Sequence, residues 1–385
     1  MSPIRVAIIG LSSSAKTTWA ADAHLAYLLS SKGKTHYQLV ALLNSSISAA
    51  ESAKKTFNLP QHVKAFGDAE TLAADADIDL VVVCTRVDVH YAVVEPSVRA
   101  GKAVFVEWPV TSNLASTLQL LEKMPNPGNS IVGLQGRVMP LTLRLQGILS
   151  SGIIGKVLSS DIRAYGVVMQ RDTLPASLAY FADRKVGGHP INIHYGHMID
   201  YVHEVLGNWE TFDAKMQIQR PELNILGKEG AVLKSNVPDL LSVHGTLEAG
   251  VAVPGALLTA TFRLGPPFKG DAGLTWTIAG EKGELRITAP GPYLMSGDSY
   301  NGPVTIEHHD HATDQVNSLA WDWSEWQKEL PLRARSTAEL YERYAEWVEG
   351  GKDEVVRGRE WPRFEDGVRL MREFDAVYKL FDAMW

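Results

Sequence analysis

The sequence predicts a two-domain α/β protein: an N-terminal doubly wound parallel sheet, then a C-terminal α+β domain with a large, open, mostly antiparallel sheet. Three observations support this prediction. The chain has 385 residues, which suggests two domains. Apolar strand-like runs alternate with helical patterns over residues 4–150. Beyond them, segments with period-two alternation follow one another, as antiparallel strands with one solvated face do.

The first domain, 1–145, begins with a strand at Ile4–Ile9, whose sequence IRVAII is nearly all apolar. Such a run is typical of a strand that is buried on both faces. Gly10 ends it, and a Ser-rich stretch leads into a helix at 19–29. The other strands are expected at 38–43, 63–66, 80–84, 103–106 and 130–134, and the other helices at 48–57, 91–100, 114–122 and 141–150. This alternation indicates parallel βαβ units.

The second domain, 146–385, is expected to bind substrate and to dimerise. Its strands are expected at 157–165, 211–217, 241–247, 256–263, 274–279 and 284–288. Helices are expected at 338–348 and 364–384, packing back on the first domain. His308, His309 and His311 lie in a polar, Asp-containing stretch that we interpret as a solvated loop.

Composition excludes several classes of protein. Lys plus Arg is 37 and Asp plus Glu is 44, so the net charge is -7, and no basic cluster indicates nucleic-acid binding. Cys84 is the only cysteine, which excludes a disulfide framework and a thiolate metal site. No apolar span is long enough for a membrane helix. We expect a cytoplasmic protein, or a nuclear one if it regulates transcription.

The turn after the first strand is a candidate phosphate-binding loop. A dinucleotide fold needs glycine there so that the backbone can approach the pyrophosphate. Gly10 is present, and Leu11, Ser12, Ser13 and Ser14 follow it; taken alone, this is also what an ordinary turn looks like. After the second strand, Asn44 and Ser45 replace the acidic residue of an NAD-specific site, so NADP becomes at least as suitable as NAD.

Two further stretches resemble a known family. The sequence DLVVVCTRVDVHY is followed by AGKAVFVEWP, and QGR stands at 135–137. This order resembles the Gfo/Idh/MocA oxidoreductase superfamily, although Arg86 and Trp108 depart from its pattern. The resemblance implies a Rossmann domain that binds NAD or NADP. The residues that it implies for the cofactor are Gly10, Leu11, Ser12, Ser13, Ser14, Asn44, Ser45, Thr85, Arg86, His90, Glu107, Trp108, Gln135 and Arg137.

Within the superfamily, the chain most resembles the fungal galactose-gene repressor branch. The shared features include Trp19 and His24 after the first turn, FVEW at 105–108, GHMID at 196–200 and VPDLL at 237–241. This branch consists of transcriptional regulators that keep the dinucleotide fold. Its members also carry Trp where active relatives have the Lys of Glu-Lys-Pro.

The resemblance does not decide whether this protein is catalytic. In active relatives that Lys handles the proton of a sugar carbinol, assisted by an Asp and a His four residues apart, whereas an indole only donates a hydrogen bond. The family His is His197, but the Asp position holds Ile193. The candidate acid–base residues are His197 first, then Tyr195, Lys185 and His194. A metal cluster of His194, His197, Asp200 and His203 is the alternative interpretation; we expect no metal.

Two functions follow as hypotheses. The first is an NAD(P)-dependent oxidoreductase, or a redox-neutral enzyme on that scaffold, acting on a sugar-like or other small hydroxyl or carbonyl compound. The alternative is a non-catalytic dinucleotide-binding regulator that masks the peptide of an activator protein. A homodimer through the C-terminal sheet is expected in both cases, by analogy with the family.

Overall fold

The structure is a computed structural model that describes residues 2–12, 15, 17–166, 171–294 and 302–383. The chain divides into two units. Unit 1 consists of Met1–Val138 and Ser324–Arg372, and unit 2 of Met139–Trp323 and Glu373–Trp385. The division falls seven residues before the boundary expected at 145, and most of the chain's C-terminal helical part belongs to unit 1.

The strands of the described residues are β1 (Ile4–Ile9), β2 (Tyr37–Leu43), β3 (Lys64–Phe66), β4 (Leu80–Val83), β5 (Ala103–Glu107), β6 (Ser130–Gly133), β7 (Val157–Gly166), β8 (Thr173–Pro175), β9 (Trp209–Gln217), β10 (Glu222–Leu226), β11 (Val232–Lys234), β12 (Leu240–Leu247), β13 (Ala252–Leu264), β14 (Leu274–Gly280), β15 (Gly283–Ala289), β16 (Thr305–Asp310) and β17 (Gln315–Ser318).

The α-helices are α1 (Ala26–Leu28), α2 (Gly33–His36), α3 (Ile47–Thr56), α4 (Ala69–Ala73), α5 (Val87–Arg99), α6 (Leu114–Glu122), α7 (Pro140–Ser151), α8 (Gly196–Leu206), α9 (Glu325–Lys328), α10 (Leu332–Glu349) and α11 (Phe364–Asp382). π-Helical turns at Ala20–Leu25 and Ile191–Tyr195 lead into α1 and α8. Short 3₁₀ segments occupy Gln135–Val138, Ala176–Ala182 and Arg184–Val186.

Unit 1 contains the predicted parallel sheet, with the strand order β3-β2-β1-β4-β5-β6. The four residues of β4 and the five of β5 are all buried, which explains their apolar sequences. Three helices on this unit begin at side-chain caps: Ser46, Asp68 and Asn113 each accept a hydrogen bond from the backbone amide three residues on. The sheet reverses its order between β1 and β4, the point where α/β proteins bind ligands at the carboxyl ends of the strands.

Unit 2 is built on an eight-stranded sheet in the order β17-β16-β15-β14-β7-β13-β12-β9. Only the pair β7 and β13 is parallel among its described strands, so the mostly antiparallel sheet is confirmed. Residues alternate between a buried face and a half-exposed one along β13 and β14. A smaller sheet has the order β11-β10-β8.

The loop predicted for the C-terminal histidines is wrong for His308 and His309. Both lie in β16, where Ile306 and His308 point to the buried side of the sheet, and His308 is only 3% exposed. The period-two alternation of a strand continues through the sequence TIEHHD, but the polar and charged residues made this pattern hard to detect. His311 follows the strand and is partly exposed.

Several elements were also missed: α2, α4, α8, α9, β8, β10, β11, β16 and β17. None of the described helices is long and apolar enough to cross a bilayer.

Candidate functional site

The turn after β1 brings two strand ends close together. Gly10 has φ +97°, and a Cβ there would stand 2.7 Å from the carbonyl oxygen of Cys84, which follows β4. The Gly10 amide donates to the Leu43 carbonyl at 3.0 Å. Only glycine fits this approach. Leu11 is buried and Ser12 is half-buried, whereas Ser13 and Ser14 lie outside the described residues.

The end of β2 has amide and hydroxyl groups in place of a carboxylate. The Asn44 side-chain amide donates to the Leu11 carbonyl at 2.8 Å and so joins this strand end to the glycine turn. Asn44 Oδ1 is buried and has no hydrogen-bond partner among the described residues. Ser45 is exposed. The end of β2 therefore has an open acceptor and no negative charge.

His90 joins the ends of β4 and β5. Its Nε2 lies 2.9 Å from the Thr85 carbonyl, and its Nδ1 lies 3.0 Å from the Pro109 carbonyl. Burial lowers the pKa of His90, although the three carbonyl contacts oppose that effect. His90 therefore fixes two loops beside the site. Arg86, at the start of α5, forms an exposed ion pair with Asp88.

The end of β5 carries a buried carboxylate and a buried indole. Glu107 Oε1 lies 2.9 Å from His24 Nε2, and His24 Nδ1 lies 2.8 Å from the Tyr341 hydroxyl on α10. Trp108 is only 4% exposed. Glu107 is thus held by a histidine within the fold, and the indole beside it has no acid–base chemistry.

Gln135 and Arg137 follow β6. Arg137 Nη1 lies 2.8 Å from Asp366 Oδ1 at the start of α11. Burial acts to raise the pKa of Asp366, but the Arg137 charge and the Arg363 amide outweigh it, so the pKa lies below its ordinary value. Gln135 Oε1 is buried without a partner among the described residues.

These residues fit a dinucleotide. The side-chain oxygens of Asn44, Thr85 and Gln135 are all buried without hydrogen-bond partners in the described part of the chain, at the ends of β2, β4 and β6. Burying an oxygen without a hydrogen-bond partner costs free energy, so several such oxygens at one edge are typical of a site that binds a polar ligand. Together with the glycine turn, it could hold a nucleotide at the carboxyl edge of the sheet.

A second group of titratable residues lies in unit 2, where the turn Ile191–Tyr195 leads into α8. His194 Nδ1 lies 2.5 Å from the Tyr293 hydroxyl, and its ring packs edge-on against Tyr293, Phe262 and Phe181. Burial, with smaller contributions from His197 and His189, lowers the pKa of His194 to about 3. His194 is therefore neutral at physiological pH.

The other three catalytic candidates differ in their surroundings. His197 is buried one turn after His194 and is close enough to influence its pKa. Tyr195 packs on Phe374, and its buried hydroxyl has no partner among the described residues. Burial, then the Glu373 charge, raises the pKa of Tyr195 well above its ordinary value. The Lys185 side chain is exposed on a 3₁₀ turn. The structure thus brings His194 and His197 together and shows no contact of theirs with Lys185.

Two residues outside the four catalytic candidates also stand out. Tyr293 pairs with His194, yet it lies in a Gly-Pro turn 99 residues away and gives no sequence signal. His189 Nε2 lies 3.1 Å from the Tyr378 hydroxyl, which donates to Asn192 Oδ1. Burial and the Arg184 charge lower the pKa of His189 to about 3.

His194, His197, Asp200 and His203 do not assemble a metal site. His203 Nε2 lies instead 3.0 Å from Glu373. No group of three or more potential ligands within the described ranges could hold a metal ion.

Comparison with known proteins identifies the family. Residues 4–132 match the model of an oxidoreductase family with an NAD-binding Rossmann fold, Gfo/Idh/MocA, and residues 140–289 match that of the Gal80p C-terminal domain. Dehydrogenase aclE of Aspergillus oryzae is 30% identical over 299 residues, which are 76% of this chain and 78% of that protein. This protein belongs to the Gfo/Idh/MocA family.

The Gfo/Idh/MocA relatives include regulators as well as a dehydrogenase. The galactose/lactose metabolism regulatory protein GAL80 of Kluyveromyces lactis is 28% identical over 299 residues, which are 74% of this chain and 64% of that protein. The solved structure of a Saccharomyces cerevisiae Gal80p super-repressor mutant has a TM-score of 0.85 at 22% identity, covering 100% of this chain and 97% of that one. The structural likeness confirms the fold class.

Proposed function

We propose that this protein is an NAD(P)-dependent oxidoreductase that acts on a small hydroxyl or carbonyl compound, including sugar-like ones. The observation that carries the proposal is the buried pair of His194 and His197 on one face of the turn that begins α8. Burying a histidine costs free energy, and clusters of buried titratable groups are typical of functional sites. The aclE relative is a dehydrogenase.

The chemistry divides between cofactor and protein. When bound, a nicotinamide would supply hydride transfer from the carbinol carbon. The protein must take the hydroxyl proton, and Trp108 is unable to do so. We assign this step to an imidazole nitrogen of His197, which then passes the proton to solvent. The products are a carbonyl compound, NAD(P)H and one proton.

The test has two stages. Calorimetric titration with NAD and NADP first measures cofactor binding. Absorbance at the reduced-nicotinamide band then follows turnover with a panel of sugars, polyols and ketones. His197→Gln should lower kcat at least about a hundredfold while leaving cofactor affinity unchanged. The control is His62→Gln, because His62 is an exposed histidine of unit 1. Full activity of His197→Gln would exclude this residue as the acid–base group.

A regulator is the second candidate, and one observation favours it. The end of β5 has a buried tryptophan where catalytic relatives carry lysine, and its carboxylate is engaged by His24. GAL80 is a regulatory protein. In this case the titration would show dinucleotide binding without turnover of any compound in the panel. No binding of either dinucleotide would exclude both candidates.

We also propose a homodimer through the half-exposed face of the eight-stranded sheet. Thr259 and Thr261 on β13 and Thr275 and Thr277 on β14 line that face, on either side of the exposed Asp161 and Arg163 of β7. Light scattering after size-exclusion chromatography should show a dimer in the wild type and a monomer in Thr261→Arg. A Thr313→Arg control, in the exposed turn between β16 and β17, should remain dimeric.

A further inference from the structure

Tyr293 and His194 form a buried pair in unit 2. The hydroxyl lies within hydrogen-bonding distance of Nδ1, and the ring centroids are 4.4 Å apart. Both residues are 6% exposed. In the described part of the chain, no carboxylate contacts the His194 ring, and Nε2 has no hydrogen-bond partner.

The direction of this hydrogen bond follows from acidity. A phenol hydroxyl is a better donor than the N–H of neutral imidazole, and the imidazole nitrogen is a good acceptor. Tyr293 therefore donates to Nδ1. The ring proton must then stand on Nε2, because neutral imidazole carries only one N–H.

The surroundings of the His194 ring are aromatic. Phe181 and Phe262 contact the ring from the 3₁₀ segment Ala176–Ala182 and from β13, with centroid distances of 6.4 and 6.3 Å. The low pKa of His194 keeps it neutral over the range in which a free histidine titrates. The His194 ring is thus a neutral hydrogen-bond donor with aromatic neighbours.

We propose that Tyr293 is a positioning residue that holds His194 as the Nε2–H tautomer, which donates to the oxygen of a small, weakly polar hydroxyl or carbonyl compound. His194 then orients the ligand and does not act as the base. This inference deepens the proposed function on which it rests. It also narrows the substrate class, since an apolar body packs on aromatic rings and a single donor recognises a single oxygen.

The tautomer can be measured without any turnover. Long-range ¹H–¹⁵N correlation spectra of ¹⁵N-histidine-labelled protein distinguish the two neutral tautomers and the cation, and His194→Asn assigns the signals. We expect the Nε2–H tautomer in the wild type across the physiological pH range. Tyr293→Phe should move the His194 signals toward a tautomer mixture, whereas Tyr378→Phe, which removes the partner of His189, should leave the tautomer of His194 unchanged.

A ligand-binding experiment tests the Nε2–H donor itself. Cyclohexanone should shift the Nε2 signal of the wild type and bind about tenfold more weakly to Tyr293→Phe and His194→Asn, a loss of about 1.4 kcal/mol. Methylenecyclohexane has a similar shape without the oxygen, and it should not shift Nε2.

A cationic or Nδ1–H His194 in the wild type would overturn the inference, and this result does not require Tyr293→Phe to fold. Equal binding of cyclohexanone by the wild type and His194→Asn would also overturn it. Failure of the proposed function looks different: the tautomer and the cyclohexanone shift would be as expected, while no compound is oxidised or reduced.

Discussion

Two buried histidines of unit 2 use their ring nitrogens differently from the buried histidines of unit 1. In unit 1, both nitrogens of His24 and both of His90 lie within hydrogen-bonding distance of protein oxygens. In unit 2, His203 also has an oxygen near each nitrogen, but His194 has a partner at Nδ1 alone, and His189 has one at Nε2 while its buried Nδ1 has none in the described part of the chain.

This difference separates structural from functional roles. A ring that is bonded at both nitrogens joins elements of the fold, as His24 joins the end of β5 to α10. A buried nitrogen without a partner costs about 1–3 kcal/mol and gives the fold nothing in return. The half-satisfied rings of His189 and His194 therefore indicate a site in unit 2, whereas His24 in unit 1 and His203 in unit 2 join elements of the fold.

The largest expected effect is acid destabilisation through His189 and His194. The folded pKa of each lies near 3, below the unfolded value near 6.5. Their neutral forms therefore stabilise the fold fully above pH 6.5, and this contribution is lost as the pH falls toward 3. Each should cost about 1.4 kcal/mol per pH unit, or about 5 kcal/mol for both by about pH 4.5. Urea unfolding at several pH values measures this loss.

The double variant His189→Gln, His194→Asn provides the control. Gln can replace the Nε2 donor to Tyr378, and Asn can replace the Nδ1 acceptor from Tyr293, so both hydrogen bonds survive without a titrating ring. The pH slope of its unfolding free energy should be clearly smaller than that of the wild type. An unchanged slope would mean that other groups cause the acid sensitivity.

The next largest effect is expected at Gly10, in the turn after β1, where the backbone conformation excludes any side chain. Gly10→Ala places a Cβ 2.7 Å from the Cys84 carbonyl at φ +97°, so we expect a loss of about 3 kcal/mol in unfolding free energy. Dinucleotide affinity should fall at least tenfold. Calorimetry and urea unfolding measure the two effects.

Gly101 provides a matched control for Gly10. Its φ is +75°, and a Cβ there meets nothing within 4 Å. Gly101→Ala should therefore cost only the strain of the backbone, about 1 kcal/mol, and leave dinucleotide affinity unchanged. Equal effects of the two substitutions would show that the close approach to Cys84 has no special importance.

Much of unit 1 could be predicted from the sequence because its elements are local. The apolar runs of β1, β4 and β5 are buried on both faces, and parallel strands bring their carboxyl ends to one edge. Gly10, Asn44 and Thr85 are therefore placed together by topology alone. The internal role of His90 was not predictable, since it depends on the carbonyl of Pro109, 19 residues away.

The site in unit 2 could not be predicted in the same way. Phe181, His194, Phe262 and Tyr293 come from four separate segments, and no periodicity relates them. Sequence reasoning selected His197 because it occupies the position of the family histidine, and His194 because it lies close by, but it had no means of selecting Tyr293. Long-range side-chain pairs of this kind are set by tertiary packing rather than by local pattern.

A smaller effect is expected at the end of β2. Ser45→Asp adds a negative charge to an exposed position beside Asn44, where NAD-specific sites carry an acid. The charge should repel the 2′-phosphate and lower NADP affinity relative to NAD about tenfold, or about 1.4 kcal/mol. Ser45→Asn is the neutral control and should leave the ratio unchanged. Calorimetric titration with both cofactors decides this, and an unchanged ratio in Ser45→Asp would place the ribose elsewhere.

The smallest effect concerns the Thr85 hydroxyl, the simplest case of an unsatisfied group in unit 1. Its Oγ1 is buried without a partner among the described residues, so Thr85→Val, which keeps the shape, should stabilise the free protein by about 1 kcal/mol. If a dinucleotide uses this oxygen, the same substitution weakens cofactor binding several-fold, as calorimetry would show. A rise in stability with unchanged affinity would mean that the Thr85 hydroxyl does not contact a cofactor.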